Sequence, residues 1–260
     1  MSRTAVPFLI AAAFLLSTQS ARGANPVVRF ATTEGSFDIE LCEELSALCL
    51  GVAPGTATNF LAYVDRGDYQ NSIIHRSVAT PAYANDFVLQ GGGFFLDTDE
   101  VIRAIPTDPP ITNTFNQSNK RGTVAMARTG TVNSATNQWF VNLADNGGTS
   151  PNGLDFQNEG FTVFGVVIPN RMNVVDAISE LLPYNLNNPF FNPIFDPDGI
   201  IGNFGTIPLR ADFSPPAAAP ADVIPYLITM NITRVPEPDA ALQTIAACIA
   251  LAVVSARRAG

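Results

Sequence analysis

Apolar residues in this chain come mostly in runs too short for a helix, and the segments between the runs are dense in Gly, Asn, Asp and Pro. Such runs occur at residues 87 to 90, 123 to 127, 139 to 143 and 162 to 168. Each is long enough for one strand and is bounded by residues that turn the chain. Phe37, Ile39 and Leu41 alternate with Asp38 and Glu40, the mark of a strand with one buried face. Residues 27 to 32 are its expected hairpin partner, across Glu34, Gly35 and Ser36. Helical period appears where Pro54 opens a stretch with Ala57, Phe60, Leu61 and Val64 on one face, closed by Gly67. Residues 170 to 182 repeat it with Val174, Val175, Ile178 and Leu181. The proline-dense residues 183 to 225 read as a long irregular surface insertion, and residues 226 to 234 as a closing strand. The predicted fold is mainly β: a closed antiparallel β-barrel of about eight strands capped by two α-helices, closure hiding the sheet edges.

Composition narrows the function. With 20 Pro, 19 Gly and 18 Phe in 260 residues, a helical bundle is disfavoured. The formal charge of -9 comes with no local basic patch, so no nucleic-acid partner is expected. A single His and three Cys cannot build the paired-His or four-Cys zinc sites, so no metal or cofactor is expected.

Both ends read as addresses. Arg3, the apolar run of residues 5 to 16 and then Ala21, Gly23 and Ala24 follow the order of a signal peptide over residues 1 to 23. At the other end Pro236-Glu237-Pro238 leads into the apolar residues 240 to 256 and then Arg257-Arg258. At about 1.5 Å per helical residue that run reaches roughly 26 Å, marginal for a span. The order resembles a PEP-CTERM sorting tail over residues 235 to 260, which implies transient membrane association and processing by an exosortase. A permanent tail anchor is the alternative. Either places residues 24 to 234 outside the cytoplasm of a bacterium, in the periplasm, at the cell surface or beyond it. Cys248 lies in the tail, leaving Cys42 and Cys49 as a disulfide candidate in an oxidising compartment, with two buried free thiols as the other reading.

A set of motifs in fixed order reaches function. Ile74-His75-Arg76, Phe87-Val88-Leu89-Gln90-Gly91-Gly92-Gly93-Phe94, Val124-Ala125-Met126-Ala127-Arg128, Asn137-Gln138-Trp139-Phe140-Val141-Asn142, Leu154-Asp155 and Phe161-Thr162-Val163-Phe164-Gly165 together look like a cyclophilin. The resemblance covers roughly residues 27 to 182 and the last strand. It implies a monomeric peptidyl-prolyl cis-trans isomerase acting on proline-containing polypeptides. By the same resemblance Arg76, Gln90 and Phe140 are catalytic, and Phe87, Val88, Met126, Ala127, Leu154 and Phe161 bind substrate. The chemistry suits those residue types. Rotation about a prolyl bond crosses ~18 to 20 kcal/mol because the amide gives up resonance. In the twisted state the proline nitrogen regains a lone pair, so a fixed guanidinium binds that state better than either planar isomer.

Taken singly, each residue has a plainer reading. Arg76 could form a surface ion pair, Phe87 and Phe140 could be barrel core, and Gln90 could merely end a strand before a glycine turn. A proline-peptide-binding module without turnover, or an extracellular-matrix protein, would use the same fold. Three departures from the family pattern stand out. Residues 77 to 86 lengthen the loop beside Arg76 and could cover the site; Gly153 falls near the position of a Trp that contacts cyclosporin in many members; and Phe161 replaces a common His.

Overall fold

The computed structural model describes residues 24 to 79, 85 to 148, 153 to 186, 205 to 213 and 223 to 236. The expected signal peptide, nearly all of the sorting tail, the middle of the 77 to 86 loop and much of the 183 to 225 insertion lie outside the described residues.

β1 (Val27–Thr32) and β2 (Gly35–Leu41) form a hairpin with Thr32 opposite Gly35, so Thr33 and Glu34 alone make the turn. Gly35, expected in the turn, instead starts the strand, with φ at 125°. α1 (Pro54–Arg66) starts with proline, whose missing N–H is no loss in a first turn, and ends at Gly67 in the left-handed conformation. The remaining strands are β3 (Ser72–Ile73), β4 (Arg76–Val78), β5 (Val88–Gly91), β6 (Phe94–Leu96), β7 (Ile102–Ala104), β8 (Thr123–Met126), β9 (Trp139–Asn142), β10 (Val163–Val167) and β13 (Thr229–Arg234). α2 (Met172–Ser179) is shorter than its sequence stripe at both ends, starting after Asn170, which is left-handed at φ 72°, and ending before the cap residue Glu180.

The sheet runs β4-β5-β9-β8-β10-β2-β1-β13-β3-β6-β7, with antiparallel neighbours throughout. Its first member, β4, and its ninth, β3, belong to one stretch of chain, and β5 and β6 belong to another. The sheet therefore returns on itself. Counting each stretch once, eight strands close the barrel, and β7 is appended to β6.

The interior is aromatic. Phe30 stacks on Phe37 at 4.8 Å and meets Trp139 edge-on at 5.0 Å. Phe60 of α1 enters the same cluster, 5.0 Å from Phe164 and 5.3 Å from Tyr69. Val175 and Ile178 of α2 join this core. Such rings bury large areas and dominate the stability of a barrel this size.

The described parts of the insertion pack on the barrel, where Leu186, Ile207, Leu209, Val223 and Ile224 form a second apolar cluster with Ile73, Phe94 and Ile102. β11 (Pro183–Tyr184) pairs with β12 (Ile207–Pro208), and the Ser77 N–H donates to the Thr206 carbonyl at 2.8 Å. That bond covers the edge of β4. Sequence periodicity could not show this, because the apolar residues are spread among prolines and meet only in space.

Candidate active site

Strand register builds the site. Arg76 lies opposite Gln90, Gln90 opposite Phe140, Phe140 opposite Ala125 and Ala125 opposite Val163. Residues directly opposed on paired strands share a face, so this row crosses the outside of the barrel. Val88, two residues from Gln90, joins the same face. Val88, Ala125, Phe140, Leu154 and Val163 form an apolar floor against which Phe87, Ala127 and Phe161 pack. The Phe161 ring stands edge-on to Phe140 at 5.7 Å.

A cavity of about 400 Å³ opens over this floor, lined by Arg76, Phe87, Val88, Gln90, Ala127, Arg128, Phe140, Leu154, Gln157 and Phe161. A second of about 480 Å³ adjoins it through Arg76, Gln90, Ala127 and Arg128, with His75, Thr129, Ser134, Thr136 and Gln138 on its far side. The first is a cup with an apolar floor and, around it, the Arg76 and Arg128 guanidiniums and the Gln90 and Gln157 amides. The second is polar and contains no carboxylate among its lining residues.

Eight of the nine residues expected in the site therefore line the cup. Met126 does not. It lies opposite Trp139, one residue out of step with the groove row, and alternation turns it into the barrel core. The loop after Arg76 leaves β4 at Val78, which pairs with Val88; its residues 80 to 84 lie outside the described residues. Cys42 and Cys49 are joined in a disulfide, with Cα atoms 5.3 Å apart.

Polar contacts fix the rim. Arg76 Nη1 donates to Gln90 Oε1 at 3.1 Å, and Gln90 Nε2 donates to Gln138 Oε1 at 2.9 Å. Gln90 thus orients the guanidinium while its own donor is held by Gln138. His75 is buried and meets Phe94 edge-on at 5.0 Å. Burial first, and the Arg76 charge second, push its pKa down to about 3, so it is neutral at ordinary pH. A partly buried polar network lies behind the cup. Asp155 accepts from Ser118 Oγ, the Asn119 N–H and Asn119 Nδ2 at 2.6, 2.8 and 3.0 Å. Asn119 Nδ2 also reaches the Phe161 carbonyl, and Asn146 Nδ2 donates to the Phe87 carbonyl at 2.7 Å. These side chains hold the backbone of two cup walls.

Gln138, Arg128 and Asp155 stand inside the sequence motifs but received no role there. Asn119 and Asn146 lie beyond every motif. Nothing in local spacing marks them, since each acts on backbone 40 or more residues away: Asn119 on Phe161 across a separation of 42, and Asn146 on Phe87 across 59.

Several known proteins are similar to this chain. The family model for cyclophilin type peptidyl-prolyl cis-trans isomerase/CLD matches residues 27–194. A peptidyl-prolyl cis-trans isomerase of Acinetobacter baylyi is 37% identical over 158 residues, 61% of this chain and 74% of that one. Peptidyl-prolyl cis-trans isomerase B of Escherichia coli is 38% identical over 154 residues, 58% of this chain and 83% of that one. The crystal structure of a cyclophilin type isomerase of Cryptosporidium parvum superposes with a TM-score of 0.49 at 19% identity, covering 82% of this chain and 99% of that one.

Proposed function

The chain belongs to the cyclophilin-type peptidyl-prolyl cis-trans isomerase family and catalyses isomerisation of Xaa-Pro bonds, and from that premise we propose that Arg76 and the cup beside it carry the reaction. The observation that carries this reading is the row Arg76, Gln90, Phe140, which sets an oriented guanidinium at the edge of an apolar pocket. The proline ring enters the cup against Phe140, Val88, Leu154 and Phe161, leaving its nitrogen within reach of the rim. As the amide twists, the nitrogen loses conjugation and becomes a hydrogen-bond acceptor for Arg76. That bond exists only in the twisted state and lowers the barrier. A gain of ~10⁵ needs about 7 kcal/mol, more than one such bond supplies. Gln90 contributes by orienting Arg76 and, once released from Gln138, by donating to the substrate carbonyl. Holding the ring in an apolar cup supplies orientation and excludes water. No proton is transferred, which suits a site whose one histidine stays neutral.

The test is the cis-to-trans exchange rate of the tetrapeptide Ala-Ala-Pro-Phe, measured by NMR with the wild-type domain and with Arg76→Ala. Loss of one transition-state donor is expected to lower kcat by about 10²- to 10³-fold at nearly unchanged stability. A variant as fast as wild type would remove Arg76 from the mechanism.

The clients are exported polypeptides in this reading. The leader-like residues 1 to 23, the PEP-CTERM-like residues 235 to 260 and the Cys42–Cys49 disulfide support it together, since such bonds persist in oxidising compartments. Mass spectrometry of the protein from fractionated cells is expected to find it outside the cytoplasm, beginning near Ala24 and lacking its last residues. Intact chain in the cytoplasm would overturn the assignment.

A further inference from the structure

Arg128 follows β8 and lies on the boundary between the two cavities. Its Nη2 donates to three carbonyls of one turn, those of Gln157, Asn158 and Gly160, at 3.3, 2.6 and 3.0 Å. Its guanidinium carbon lies 4.3 Å from the centroid of the Phe161 ring, immediately after that turn. Nε and Nη1 are buried and have no hydrogen-bond partner among the described residues, so the ring face is what balances that side of the cation. The turn needs such support. Asn158, Glu159 and Gly160 have φ values of 49°, 70° and 76°, and two consecutive non-glycine residues in that region are strained unless something external holds them.

We propose that Arg128 is a positioning residue for the proline cup, clamping the 157 to 160 turn through its carbonyls so that Phe161 stands as the cup's outer wall against Phe140. Arg128 acts on the proline ring through Phe161, because its Nη2 is taken up by the three carbonyls and its Nε and Nη1 are buried beside the ring. The assignment rests on the isomerase reading of the same site. It separates two jobs done by two arginines: Arg76 acts on the twisting bond, and Arg128 on the shape of the pocket that receives the ring.

The two roles give opposite kinetic signatures. Arg128→Ala is expected to raise KM for Ala-Ala-Pro-Phe about tenfold, with the same loss in peptide Kd by NMR titration, while kcat stays within about twofold. Arg128→Gln, uncharged but planar and able to donate to the turn, is expected to restore most of the binding. In a Phe161→Ala background, Arg128→Ala is expected to add no further loss, because the wall it positions is gone. A fall in kcat at unchanged KM would overturn the proposal. So would rescue by Arg128→Lys but not by Arg128→Gln, which would make the charge itself the agent, or additive losses in the double variant. If the Ala variant does not fold, the Gln variant and the Phe161→Ala cycle built on it decide. A folded wild type that binds the peptide without accelerating exchange would refute the isomerase reading alone, and the Kd comparison would still test the clamp.

Discussion

Trp139 and Phe140 are neighbours in β9, both aromatic and both nearly inaccessible, yet they belong to different regions with different purposes. Trp139 faces inward, with Met126, Leu89 and Val141, and packs edge-on to Phe30 in the barrel core. Phe140 faces outward and floors the cup with Val88 and Ala125. The inner face is closed by its own side chains: Gly92, left-handed at φ 82°, leaves the space that the Trp139 indole fills, and a Cβ there would come within 2.7 Å of it. Among the described residues the outer face is left incomplete, an apolar floor bounded by Arg76, Gln90 and Arg128. The difference teaches that burial in this protein does not by itself mark structure. In the proposed function stability resides in the closed inner face, and binding in the outer one.

That contrast can be broken by substitution on either side of one peptide bond. Trp139→Ala opens a cavity that the closed barrel cannot collapse around and is expected to cost about 3 to 5 kcal/mol, read from urea midpoints. Activity per folded molecule should change little. Phe140→Ala is expected to do the reverse, weakening kcat/KM by roughly 10- to 100-fold through about 1.5 to 3 kcal/mol of lost contact with the proline ring, with a smaller loss of stability. Equal stability losses for the two would show that the outer face is also a closed core.

A third expected effect, spread over several pH units rather than read from one variant, concerns His75, buried beneath the rim. Its folded pKa of about 3 lies below the unfolded value near 6.5, so the unfolded chain takes up the proton first. The stability it contributes is therefore complete above about pH 6.5 and is lost as pH falls towards 3, at up to about 1.4 kcal/mol per pH unit. Asp38, Asp65 and Asp97, held low first of all by hydrogen bonds from Arg29, Arg234 and Arg103, lose their contribution as pH falls from the ordinary carboxylate value near 3.8 downward. The window between about pH 4 and 6.5 thus reports on the chain's single histidine. Urea midpoints that stay flat across it would place a charged His75 in the folded protein.

Much of this was legible before any fold was known. Phe37, Ile39 and Leu41 alternate, and all three are buried. Pro54 and Gly67 bracket α1 as their backbone preferences require. Arg76, Gln90 and Phe140 sit in motifs whose order resembles one family, and that resemblance gave them their roles. Met126 was misread because a motif preserves residue order but not the side of the strand, and one step along β8 exchanges groove for core. The packing of the insertion's described parts was not legible because Leu186, Ile207, Leu209 and Ile224 show no common period and meet only in one cluster with Ile73, Phe94 and Ile102.

The sequence by itself determined the local matters: which stretches are strands, where α1 starts and stops, and which residue types carry the chemistry, since dihedral preference and apolar period act over a few residues. Only the tertiary structure decided what depends on distant pairing. Register across β4, β5, β9 and β8 put Arg76, Gln90 and Phe140 on one face, closure joined β3 to β4, and Arg128 found its three carbonyls some 30 residues further along the chain. Those contacts follow from burying one aromatic core inside a closed sheet, and no short window of sequence contains them.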